Sequence, residues 1–258
     1  MFGNMVLLYG HYFYDTSAMR LKLRLVLSLV FCVSNASLAS GNEFQNRLDS
    51  LYIDKQFDTL YERLLFPQSK GETRVSLMWL REHFKTGDGG ARLAYIYAAR
   101  LNGSGIAETA LFAYTVAMLT ARMDAARCED IDAPIAKIVK WEEGLQHLER
   151  AFRGLPRARQ ERFLKLAAKF ERKTRNRGVD EWMCSGGKSQ YEEYYRKYGT
   201  LVKAPIKITS VPFSGNKIIL LDDTSVKPRL IDERYWRSMN AKIVEKVRAE
   251  LMTGDDKG

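Results

Sequence analysis

The sequence predicts a mainly α fold, helical up to about Tyr198 and finished by a small β-hairpin and a terminal helix. Three observations predict it. Apolar residues recur at steps of three and four from Asn42 onward. Glycine- and proline-bearing breaks punctuate them at Pro67, 87–90, 102–105, 130–134 and Gly178. After Gly199 the period shortens to alternation, the pattern of strands.

Taken in order, Phe44, Leu48, Leu51 and Tyr52 share one helical face, and Phe57, Leu60, Tyr61, Leu64 and Leu65 continue the pattern until Pro67. Val75, Met78, Trp79 and Leu80 begin the next apolar helix, which Gly87-Asp88-Gly89-Gly90 stops. Ala91–Leu101 and Ala107–Met123 are Ala-rich helices separated by Asn102-Gly103-Ser104-Gly105. After the break at Asp130–Pro134, a single helix is expected from Ile135 to Phe152. Pro156 suits the first position of a helix running to about Arg175, and Ser189–Tyr198 reads as one more short helix. Ile206–Val211 alternates, Lys217–Leu221 is β-branched and apolar, and Phe213-Ser214-Gly215-Asn216 lies between them, a hairpin pattern. The last helix is expected from about Asp232 to Met252, with Tyr235, Met239, Ile243, Val244 and Val247 on its apolar side.

The first 39 residues read as an address. Met19–Arg24 is basic, Leu25–Val33 is an apolar run, and Ser37-Leu38-Ala39 offers small residues for cleavage after Ala39. That order describes a cleavable signal peptide, so a periplasmic or secreted protein is expected. An uncleaved anchor or a buried helix is the alternative. Residues 1–18 fit poorly ahead of such a signal, and a start at Met19 explains them. Cys32 leaves with the signal, which leaves Cys128 and Cys184. Two cysteines in an oxidising compartment are expected to pair. Such a bond is worth about 3–4 kcal/mol in the chain-entropy model; two unpaired buried thiols are the other reading.

Between Ser76 and Ala121, Trp79-Leu80-Arg81-Glu82, then Gly87-Asp88-Gly89, Ala91, Leu93-Ala94 and Ile96-Tyr97, resembles the junction between Sel-one-like repeats, short relatives of tetratricopeptide repeats. Ala113-Tyr114 stands 34 residues after Trp79-Leu80. Ala94 departs from the glycine usual in that family, and the linker before Gly103 is longer. The resemblance spans about one unit and implies a short, α-solenoid-like array that binds proteins or peptides and carries no catalytic residues. An ordinary Ala-rich helical bundle is the alternative.

The strongest electrostatic feature is Arg150–Arg177. Eleven basic residues face only Glu161 and Glu171 there, in a chain whose net charge is +10. Phe152, Leu155, Phe163, Leu166, Ala167 and Phe170 supply an apolar stripe in the same segment, so the charges are expected to point outward. Arg157, Arg159, Arg162, Lys165 and Arg172 are the candidate contacts for an anionic partner, an envelope polymer, lipid headgroups or an acidic protein. A solvated face without a partner is the plainer reading. Export disfavours nucleic acid.

Other constellations carry less. Glu143 and His147 lie four apart on the expected helix, but with three histidines in the chain no metal site is expected. Cys184-Ser185-Gly186-Gly187-Lys188-Ser189 has Trp182 where a phosphate-binding loop needs glycine, so no nucleotide cofactor is expected. Tyr191, Tyr194, Tyr195 and Tyr198, with Trp182 nearby, form an aromatic patch suited to sugar rings or to packing. Adjacent carboxylates such as Glu142/Glu143 diverge on a helix and make poor acid–base pairs. These observations predict an exported helical scaffold, an adaptor in an envelope or secretion assembly. The alternative is an envelope enzyme, such as a glycan-cleaving hydrolase with a basic polymer-binding surface.

Overall fold

The structure is a computed structural model that describes residues 41–178, 180–201, 204–210, 217–221 and 226–252. The expected signal segment with Cys32, and the expected hairpin loop Phe213–Asn216, lie outside them. The chain is mainly helical. Its elements are α1 (41–53), α2 (Phe57–Leu65), α3 (Lys70–Thr86), α4 (Gly90–Gly103), α5 (Ala107–Ala125), α6 (Asp132–Glu143), α7 (Gln146–Arg153), α8 (Arg157–Thr174), α9 (Glu181–Cys184), α10 (Lys188–Tyr198), β1 (Ile206–Ser210), β2 (Lys217–Leu221) and α11 (Glu233–Met252).

Helix α5 is the axis of the molecule. It is buried around most of its circumference, with α4, α6, α7, α8 and α11 packed on it. Ala110, Ala113, Ala117 and Ala121 recur at steps of three and four and are fully buried, so neighbouring backbones can approach closely. Helix α3 starts with Ser69, whose hydroxyl accepts from the Glu72 amide at 3.1 Å, while Glu72 reaches back to the Gln68 amide at 2.6 Å. It stops at Gly87, whose φ of 80° suits glycine.

Three helix readings are corrected. The expected helix Ile135–Phe152 begins earlier, at Asp132, and breaks at Gly144, because Leu145 turns into the core and the Leu148 amide bonds back to its carbonyl at 2.8 Å. Met78 is 56% exposed; Ser76, its hydroxyl satisfied by the Glu72 carbonyl, occupies the buried face of α3 instead. Tyr235 is 62% exposed, and Trp236 packs inward in its place, with the Arg127 guanidinium 4.1 Å from its ring.

Strands β1 and β2 pair antiparallel, from Ile206 opposite Leu221 to Ser210 opposite Lys217. The chain then passes Cys128 as an extended strap: the Glu129 amide donates to the Arg229 carbonyl and the Ile231 amide to that of Arg127. Helix α11 closes the structure, placing Val247 and Leu251 in the main core.

Candidate functional site

A cleft of about 510 Å³ opens where three corners of the fold meet: the α1–α2 turn, the α3–α4 turn and the segment between α8 and α9. Glycine makes the second corner possible. A Cβ on Gly87 would stand 2.6 Å from Thr174 Cβ, and one on Gly89 would stand 2.2 Å from Leu93. Lys55, on the first corner, holds a φ of 56°, a left-handed conformation that costs a side-chain-bearing residue about 1–2 kcal/mol.

Arg92 forms the floor. It lies in the first turn of α4, is 5% exposed, and donates from Nε and Nη2 to the two carboxylate oxygens of Asp180 at 2.8 Å each. Its guanidinium carbon sits 4.6 Å from the Phe57 ring and 4.7 Å from that of Trp182, so aromatic faces cover it on two sides. Burial works against the Arg92 charge, but Asp180, with Tyr61 and Asp58, together more than offset it and hold the guanidinium above its ordinary range. The Tyr52 hydroxyl at the cleft wall is held above its ordinary range, by burial first and then by Asp88 and Asp180.

Beneath the floor lies a second buried ionic cluster. Arg177 donates to Asp124 Oδ1 at 2.8 Å and stands 3.6 Å from Glu171, which also accepts from Arg175 at 2.7 Å. Burial raises the Asp124 carboxyl to about 6, against the pull of Arg177 and Arg127. Among the described residues its Oδ2 has no hydrogen-bond partner, and it lies 3.4 Å from where a Gly90 Cβ would stand.

The α9 wall is fixed from behind. Lys137 Nζ donates to the Trp182 and Ser185 carbonyls, to Met183 O at 3.3 Å and to Ser185 Oγ at 3.1 Å, tying down the carboxyl end of this four-residue helix. Burial brings its ammonium down to about 7, with Asp180 opposing. Cys184, the last residue of α9, is bonded to Cys128, with 5.2 Å between their Cα atoms.

Of the residues singled out in the sequence, Cys128 and Cys184 are therefore a buried disulfide. Arg157, Arg159, Arg162, Lys165 and Arg172 all lie exposed on α8, with Lys169 and Lys173 beside them. Arg159 pairs with Glu108 at 3.0 Å. The expectation that every charge of this segment points outward is corrected at three positions. Arg153 bonds Glu149 and the Glu250 carbonyl, while Arg175 and Arg177 turn in to Glu171 and Asp124.

The break at Gly144 puts Glu143 and His147 on different helices, and among the described residues no group of three or more His, Cys, Asp or Glu could hold a metal. The glycine-rich loop before α10 has its anion position filled from within, because Asp130 Oδ2 accepts from the Ser189 amide at 2.8 Å and from its hydroxyl at 2.5 Å. The tyrosines split: Tyr194 is buried with Tyr198 4.6 Å away, while Trp182 joins the cleft.

Sequence reasoning missed Arg92, Asp180, Lys137 and Asp124. One signal was available. Arg92 is the sole charge in the otherwise apolar run Ala91–Ala99, and a cation there needs a buried partner. Comparison with family models, curated proteins and solved structures finds no match for the chain.

Proposed function

We propose an exported helical interaction protein, an adaptor in an envelope or secretion assembly, that holds an anionic partner on α8. One observation carries this reading. Among the described residues no carboxylate lies within ion-pair distance of Arg157, Arg162, Lys165, Lys169, Arg172 or Lys173, whereas Arg153, Arg175 and Arg177 of the same segment are paired inside the fold. Cations left without intramolecular partners attract an external anion over roughly a Debye length, about 8 Å at physiological salt. The buried disulfide suits an oxidising compartment. The likeness of 76–121 to Sel-one-like repeats adds to a scaffold reading. The test is affinity capture from envelope extracts with the parent and with a variant carrying Gln at Arg162, Lys165, Lys169 and Lys173. Loss of a salt-sensitive partner from the variant supports the reading; equal recovery removes it.

A second reading, an envelope hydrolase acting on a glycan, draws support from the cleft, where Asp88, Glu181 and Tyr52 face a space of sugar-ring scale. It requires that Glu181→Gln or Asp88→Asn abolish release of reducing ends from a glycan substrate. The interaction reading is favoured because Asp180, the innermost carboxylate of the cleft, has both oxygens engaged by Arg92.

A further inference from the structure

The face of α8 has a composition that narrows its partner. At about 100° per residue, Arg159, Arg162, Lys165, Lys169, Arg172 and Lys173 fall within an arc of about 140°. The opposite arc, Gln160, Phe163, Leu164, Ala167, Glu171 and Thr174, is buried. From Arg159 to Lys173 the row is about 21 Å long at 1.5 Å per residue. Both carboxylates of the helix are drawn away from this face, Glu161 to Arg248 and Glu171 to Arg175. The only large apolar side chain inside the cationic arc is Leu166, 42% exposed. It stands one turn from Arg162 and Lys169 and two turns from Arg159 and Lys173.

Resting on the reading that α8 holds an anion, we infer that the anion is the headgroup layer of an anionic bilayer, with Leu166 entering between headgroups while the surrounding cations lie on phosphates. A soluble polyanion uses the cations and gains nothing from the leucine. A bilayer interface uses both, since it offers negative charge at its surface and apolar volume a few ångströms below. Long Arg and Lys side chains suit such a surface because their stems lie along apolar material while their charged ends stay among phosphates. Each juxtaposed basic residue strengthens binding to an anionic membrane by about fivefold. Arg159 is held by Glu108 at 3.0 Å; the other five cations of the arc suffice for reversible attachment, and the single leucine adds a smaller, salt-insensitive part.

The experiment compares three proteins: the parent, the variant Arg162→Gln/Lys165→Gln/Lys169→Gln/Lys173→Gln, and Leu166→Asn. Each is sedimented with vesicles of phosphatidylcholine alone and of phosphatidylcholine mixed with phosphatidylglycerol, at low and high salt, and each is run on immobilised polyphosphate. The melting temperature of every variant is recorded, because these exposed substitutions are expected to leave it unchanged. The expected result is salt-sensitive binding of the parent to the anionic vesicles only. The fourfold variant should bind them about a hundredfold or more weaker. Leu166→Asn should bind them several-fold weaker while keeping its polyphosphate retention. Polyphosphate retention with no preference for anionic vesicles, or vesicle binding that Leu166→Asn leaves unchanged, overturns the bilayer assignment and leaves the anion-holding reading in place. Failure on both vesicles and polyphosphate removes both.

Discussion

Arg92 and Asp180, 88 residues apart in sequence, meet through two parallel hydrogen bonds of 2.8 Å under a cover of aromatic rings. This fork joins α4 to the entrance of α9. A planar guanidinium matched to a carboxylate in this way has a fixed orientation as well as a charge. Asp180→Ala leaves a buried cation unpaired and is expected to cost about 3–5 kcal/mol in urea denaturation. The double variant Arg92→Met/Asp180→Ala should recover part of that loss. A single variant as stable as the parent would show that solvent reaches Arg92.

The buried lysine predicts a pH dependence. Lys137 titrates at about 7 in the folded protein, against an ordinary 10.5. Between those values the unfolded chain carries a proton that the folded one lacks, so stability rises with pH, by up to about 1.4 kcal/mol per unit. Below about pH 7 both states are protonated and the dependence ends. Measured against Lys137→Met, the parent should therefore gain stability from pH 7 toward pH 10. Parallel curves would mean that the carbonyls of α9 keep the ammonium charged.

The two classes of arginine on and after α8 should separate cleanly. Arg162→Gln is expected to change stability by no more than about 0.5 kcal/mol. Arg177→Gln removes the direct partner of Asp124 and should cost about 3–5 kcal/mol. Equal effects would contradict the division between outward and inward charge.

At the cleft rim, Lys55→Gly should raise stability by up to about 1 kcal/mol, because glycine takes the φ of 56° without strain. Thermal denaturation measures it. A fall in stability would show that the lysine side chain makes compensating contacts.

Thiol labelling of the unfolded, unreduced protein should find neither Cys128 nor Cys184 free, and reduction should cost about 3–4 kcal/mol.

The legible part of this fold was its local part. The stops at Gly87 and Gly199 and the helices between them follow from backbone sterics and helical period, both written in short windows. The outward row on α8 was legible for the same reason, since six of its charges sit opposite its own apolar stripe. The cleft was not, because Arg92, Lys137 and Asp180 acquire their roles only when distant segments meet. Asp180 looks like any loop aspartate until α4 arrives beside it. Helix α9 was missed because four residues carry no period, and it persists through Lys137, Asp180 and the disulfide. Arg175 and Arg177 were misread because they follow the stripe, at the end of α8, where a buried glutamate and aspartate draw them inward.

The Cys128–Cys184 bond also closes a covalent ring, and α6, α7 and α8 lie wholly inside it. Every cation of the outward row belongs to that ring. A protease cutting anywhere between residues 129 and 183 opens it without releasing a fragment, so the nicked molecule keeps its mass until a reductant is added. Any load taken up by α8 is likewise shared between two strands of chain, one leading to α5 and the other to α10. The part of the protein with the most charge to offer is thus anchored at both ends by a single bond.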